Sequence, residues 1–170
     1  MPLTPCGNCG FCNEDFNPGF GRPTTLAPVQ VAVLNGVNLD VLGDRDPALY
    51  GGLTLGELEN RIYRWGRELG LQVRCLQTNH EGQYVDWCHE ARLWASGIIL
   101  NPGAWSHYSY AIRDAVELFE VPVIEVHLSD ITKREEFRRH SVLEEVVTAR
   151  VIGKGPEGYR EALVNLAEQR

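Results

Sequence analysis

Short apolar runs and amphipathic helical stretches alternate five times along this chain, and that alternation restricts its fold more than any other feature. Val29–Leu34, Leu71–Gln77, Gly97–Asn101, Val121–His127 and Ala149–Ile152 read as strands: short segments rich in Val, Leu and Ile, several bounded by Gly, Pro or Asn. The stretches between them carry helical signals. Thr54 and Glu57 form a capping-box pattern, after which Leu55, Leu58, Ile62, Trp65 and Leu69 share one stripe that Gly70 ends. A second helix is expected over about Gln83–Ser96, a third over about Tyr108–Phe119, and a last one from Glu157 that buries Tyr159, Leu163 and Leu166. Thr132 and Glu135 repeat the capping-box signal and predict a short basic helix over Lys133–His140. With no hairpin signal and no internal repeat, the pattern is an α/β fold with an open, doubly wound, five-stranded parallel sheet.

The chain has 170 residues, enough for one domain, here placed at 29–170. Residues 1–28, rich in Pro and Gly, read as an extension outside that domain. A net charge of −7 supplies no basic field, which argues against nucleic-acid or anionic-membrane partners and leaves small anions bound by local arginines. No secretory signal or membrane-length apolar run is evident, so the expected location is the cytoplasm. Cys6, Cys9 and Cys12 have metal-site spacing but supply three ligands where such sites use four, so the expectation is a flexible tail and no metal.

In doubly wound sheets ligands bind beyond the carboxyl ends of the strands, and the polar clusters fall there: 35–38, 77–81, 101–107 and 125–129. The first cluster opens a long connection, residues 35–52, with Arg45 and Tyr50 between Gly43 and the Gly51-Gly52 pair. Such a length is more typical of a functional lid than of a simple turn. A tyrosine ionises near pH 10, and lowering that by about two units needs about 2.7 kcal/mol, within reach of a close arginine in a dry site. Tyr50 can then remove a carbon-bound proton; the competing reading is a loop anchor beside a solvated Arg45. Glu125 and His127 point to the same side of one strand, which suits a carboxylate orienting a general acid, a structural pair, or two ligands of a metal that has no third. His107 is placed to bond a substrate hydroxyl. Leu128 and Ser129 lead into the expected basic helix, whose N-terminus, with Arg138, Arg113 or Arg134, would hold a carboxylate. Gly153-Lys-Gly-Pro-Glu-Gly158 matches a dinucleotide fingerprint by letter, yet only twelve residues follow, too few for the strand and acidic residue that the motif needs.

Taken together, Leu34-Asn-Gly-Val-Asn-Leu39, Arg45-Asp-Pro-Ala-Leu-Tyr-Gly51, Gln77-Thr-Asn-His-Glu-Gly82, Asn101-Pro-Gly-Ala-Trp-Ser-His107, Ile124-Glu-Val-His-Leu-Ser129 and Arg134-Glu-Glu-Phe-Arg-Arg-His-Ser141 resemble the type II 3-dehydroquinate dehydratases. The resemblance implies a flavodoxin-like fold, no cofactor, a small carboxylic acid substrate and homododecamers built from trimers. It implies Tyr50 as base, Arg45 as its activator, Asn38 as the holder of a water against the enolate, and His127, oriented by Glu125, as acid. Asn101, His107, Leu128, Ser129 and Arg138 match substrate contacts, and Asp114 matches a residue that reaches a neighbouring subunit's site. Departures from the usual pattern include Trp105 and Tyr108 beside His107, and Arg150 where glycine is common. The first two suggest a reshaped pocket and, as one alternative, a modified dehydroquinate substrate; a second alternative is a catalytically silent carboxylate-binding paralogue that uses the 1–28 extension as an interaction arm.

Overall fold

The computed structural model describes residues 29–169; the extension 1–28, with Cys6, Cys9 and Cys12, lies outside the described residues. β1 (Val29–Asn35), β2 (Leu71–Gln77), β3 (Gly97–Asn101), β4 (Val123–His127) and β5 (Ala149–Ile152) form one parallel sheet in the order β2-β1-β3-β4-β5. The five strands are those expected, with β1 one residue longer and β4 starting after Pro122. α1 (Pro47–Tyr50) lies within the long connection after β1; α2 (Leu55–Glu68), α3 (Glu81–Ala91), α4 (Tyr110–Glu117) and α5 (Glu157–Glu168) pack on the sheet.

Alternate strand residues face opposite ways, and this divides the apolar residues into two layers. Val31, Val33, Ile99, Ile124 and Val126 pack with Leu58 and Ile62 of α2 and Leu163 of α5. Ala32, Leu34, Ile98 and Leu100 pack on the other face with Tyr84 of α3 and Ile112 of α4. Each fully buried aliphatic side chain contributes roughly 1.5–3 kcal/mol, so both layers are needed to hold the sheet. From β1 the chain moves outward to β2 and then returns to the other side of β1 as β3. The carboxyl ends of β1 and β3 therefore diverge at the switch point, where a crevice opens.

α2 begins as expected: the Thr54 hydroxyl accepts from Glu57 N, and the Glu57 carboxylate accepts from Thr54 N at 2.9 Å. The second helix is displaced towards the N-terminus and shorter than expected. Gly82 belongs to its first turn, while residues 92–96 leave the helix as Ser96 N donates to Gln30 O on β1. The third expected helix is shorter at both ends: Ser109 caps α4 by accepting from Ile112 N, and a separate 3-10 turn, Gly103–His107, precedes it.

The basic helix expected over Lys133–His140 does not form. Two 3-10 turns, Ile131–Lys133 and Glu136–Arg138, stand there instead. The physical reason lies in the competing partners of the two capping residues. Asp130 accepts from both Thr132 N and the Thr132 hydroxyl, and Glu135 pairs with Arg134 and Arg138. Neither Thr132 nor Glu135 remains free to close a capping box.

Candidate active site

The lid is not a structureless loop. Leu42 is buried at a 3-10 turn, Leu42–Asp44, and Asp46 starts α1 by accepting from Ala48 N, with Pro47 at the first helical position. Gly51 ends α1 at φ 88°, a left-handed conformation suited to glycine, with Pro156 so close that a Cβ would lie 2.9 Å from its ring. This compact turn brings Tyr50 back over the carboxyl edge of the sheet.

Three cationic or aromatic side chains meet at the lid. Arg45 donates to the Tyr50 hydroxyl and lies over its ring, 3.6 Å from the centroid. Arg134, from the chain after β4, donates to the same hydroxyl at 3.1 Å and to the Ser129 hydroxyl at 3.4 Å. The Tyr50 bond is the leading cause that raises the Arg134 pKa, so this guanidinium is held firmly charged. Two guanidinium groups thus donate to one phenol oxygen.

The opposite wall is built on β4. His127 Nε2 lies 2.8 Å from Glu125 Oε1, and the same oxygen accepts from the Ser141 hydroxyl at 2.7 Å. Arg150 Nε sits 3.0 Å from the other carboxylate oxygen, out of hydrogen-bond alignment, so that contact is ionic. Burial alone would raise the Glu125 pKa, but bonds from His127 and Ser141, with the His127 and Arg150 charges, outweigh it and leave the value lowered. Glu125 is thus an ionised carboxylate that receives Nε2–H of His127 and leaves Nδ1 as the ring's other site for chemistry. The His107 ring is stacked 6.0 Å from that of His127 and donates Nδ1–H to His140 O. Burial lowers the His107 pKa, with the neighbouring His127 and Arg138 charges acting in the same direction.

The base of the site joins β1, β3 and α5. Asn35 and Asn101 are register partners; Asn101 Nδ2 donates to the Tyr159 hydroxyl at 2.8 Å, which donates to Asn35 Oδ1 at 2.6 Å. Next to them Asn38 has φ 65° and its backbone N–H donates to Asn79 Oδ1, while Asn79 Nδ2 donates to Asp40. Asn38 therefore keeps its left-handed conformation through a bond to the end of β2.

One pocket is lined by Asn38, Arg45, Tyr50, Asn101, His107, His127, Leu128, Ser129, Arg134 and Arg138, among others. Of the residues named from sequence, Glu125 stands behind His127, and Asp114 is exposed on α4 and lines no part of this pocket. Arg113, one of three arginines considered for a carboxylate, instead binds Val142 O, Glu145 and Glu117. Arg134 lies against Tyr50, 84 residues earlier in the chain, nearer than its sequence position suggests. Ser141, Arg150, Tyr159 and Asn79 were missed as partners; Tyr159 lay on the buried stripe of α5 and Asn79 in the polar cluster at the end of β2, but no signal joined either to its partner. Trp105 is buried against Tyr84, at 5.5 Å between ring centroids, and Tyr108 is largely exposed, so neither reshapes the pocket as expected.

Residues 29–167 match the sequence profile of the family described as Dehydroquinase class II. The chain is 48% identical over 140 residues to a 3-dehydroquinate dehydratase of Pelobacter propionicus, covering 82% of this chain and 94% of the relative. It is 49% identical over 138 residues to a 3-dehydroquinate dehydratase of Halalkalibacterium halodurans, covering 81% and 95%. The crystal structure of type II dehydroquinase from Propionibacterium acnes matches with a TM-score of 0.80 at 45% identity, over 84% of this chain and 99% of that one. A profile that spans all five strands and both walls of the pocket, with identities near one half, means that this chain belongs to the class II dehydroquinase family.

Proposed function

We propose that this chain catalyses the reversible anti-elimination of water from 3-dehydroquinate, giving 3-dehydroshikimate through an enolate. The observation that carries the reading is a phenol held by two guanidinium groups and a carboxylate-backed imidazole lining the same pocket. Tyr50 takes the proton from the carbon next to the ketone, and Arg45 and Arg134, which both donate to its hydroxyl oxygen, stand where they stabilise negative charge on it. Asn38 and its bound water receive the negative charge that grows on the ketone oxygen. His127 gives its Nδ1 proton to the departing hydroxyl, which leaves as water and forms the conjugated double bond; Glu125 stabilises the imidazolium before that transfer. Tyr50 then loses a proton to solvent and His127 regains one, which resets both groups.

Asn101, His107, the Leu128-Ser129 backbone and Arg138 hold the substrate's hydroxyls and carboxylate. The carboxylate site rests on Arg138 and short 3-10 turns, since the helix first expected there is absent. Asp114, exposed and remote from its own pocket, serves a neighbouring subunit in a dodecamer built from trimers. The enzyme acts in the cytoplasm in the shikimate or quinate pathway. Ultraviolet absorbance of the conjugated product tests the reaction: purified protein should turn over 3-dehydroquinate, and full activity in Tyr50→Phe would remove the proposed base. The modified-substrate alternative drew on Trp105 and Tyr108, and both lie outside the pocket.

A further inference from the structure

The proposed acid is His127, yet the group behind it is more than a His–Glu pair. Glu125 and Arg150 are register partners on β4 and β5, so their side chains emerge on the same face of the sheet. Glu125 is fully buried; one oxygen serves His127 and Ser141, and the other faces Arg150 Nε at 3.0 Å. Arg150 in turn reaches outward, where its guanidinium NH1 lies 2.8 Å from Glu144 Oε1, on a half-exposed side chain. A line of alternating charge therefore runs from the pocket to the surface: imidazole, carboxylate, guanidinium, carboxylate. Arg150 does not line the pocket, so it has no substrate to bind.

We propose that Arg150 is an electrostatic positioning residue for the acid step, with Glu144 as its outer counterweight. An unopposed carboxylate beside His127 would hold the imidazolium proton too firmly for transfer to a leaving hydroxyl. Arg150 offsets part of that field, keeps Glu125 ionised, and makes His127 the better acid, while Ser141 keeps the carboxylate in place. The other titratable or charged groups that face this pair are His107 from the turn before α4, Arg138 from the turn after β4 and the Tyr84 hydroxyl from α3. None of them forms a direct contact with the second Glu125 oxygen, and Arg150 does. The inference rests on the proposed dehydration for its kinetic meaning.

The test compares pH–rate profiles of Arg150→Met, Arg150→Lys and Glu144→Gln with the parent protein, together with nitrogen NMR titration of the His127 ring without substrate. Arg150→Met should lower kcat with little change in KM, and should move both the profile and the His127 midpoint upward by on the order of one pH unit, the size that one close charge produces. Arg150→Lys should restore most of the shift. Glu144→Gln should move both readouts the other way by less, because Arg150 then faces Glu125 alone; this variant leaves the buried pair intact and covers the case in which Arg150→Met fails to fold. Unmoved profiles and unmoved midpoints in the variants that fold would overturn the proposal. If the parent protein does not turn over 3-dehydroquinate, the proposed function fails while the ring titration still decides the role of Arg150.

Discussion

Tyr50 and His127 face one pocket from opposite sides and are held there by opposite means. Tyr50 sits on a half-exposed turn whose backbone bonds are mostly local: Asp46 to Ala48, Leu49 and Tyr50, and Pro47 to Gly51. Its hydroxyl is tied down by two arginines, one from the lid itself and one 84 residues away. His127 ends a strand buried along its whole length, and its partners come from β4, the segment at Ser141 and β5. Residues 46–51 hold no buried residue, and local hydrogen bonding without buried apolar side chains characterises segments that open at low cost, whereas an interior strand opens only with the domain. In the proposed mechanism this difference would let the 35–52 connection move while His127 stays oriented by its strand partners.

This contrast makes predictions that separate activity from stability. The largest concerns the lid: Tyr50→Phe should lose about 10³-fold or more in kcat, within the range for a general base, while the thermal midpoint stays close to the parent value. A parallel drop in the midpoint would show that Tyr50 supports the fold, and the contrast would break. On the strand side, Glu125→Ala leaves Arg150 and His127 without their buried carboxylate and should cost roughly 3 kcal/mol of stability, measured by denaturant unfolding, besides its kinetic effect. Arg134→Met should reduce kcat about 10- to 100-fold by removing one of two cations from the phenol, with a small cost in stability. Gly51→Ala should cost on the order of 1 kcal/mol, because alanine resists the left-handed conformation and its Cβ meets Pro156; isotope exchange faster in residues 40–52 and unchanged in β4 would locate that cost in the lid.

The smallest expected effect is in pH. Both His107 and Glu125 have lowered values in the folded protein, so folding favours the neutral imidazole and the ionised carboxylate. Their contributions are complete above the unfolded values and are lost as pH falls through the folded ones. Stability should therefore decline below about pH 6.5 and more steeply below about pH 4.3, the ordinary histidine and glutamate values. A Glu125→Gln variant should lose the lower limb of that decline. Retention of the limb would place the acid sensitivity elsewhere.

Much of this protein is readable before any coordinates. Period-two and period-3.6 apolar patterns report which face of each element is buried, and they located five strands and four packed helices because burial dominates their energy. The candidate site residues were legible for a related reason. Asn101 and His127 end apolar strands, and Asn38, Arg45 and Tyr50 follow β1, so chain position alone puts them at the carboxyl edge of a doubly wound sheet.

Where side-chain competition decides, sequence was a poor guide. Thr132 and Glu135 have capping-box spacing, yet Asp130 and two arginines claimed them, and the basic helix became two short turns. Arg134 looked like one of several anion-binding arginines until the fold set it against Tyr50. Sequence by itself determined the layers, the order of the strands' apolar faces and the edge that carries the pocket, since these follow from periodic burial along the chain. Only the tertiary structure decided the pairings Arg134 with Tyr50, Ser141 and Arg150 with Glu125, and Tyr159 with Asn35 and Asn101, because each joins segments whose meeting depends on strand order and register.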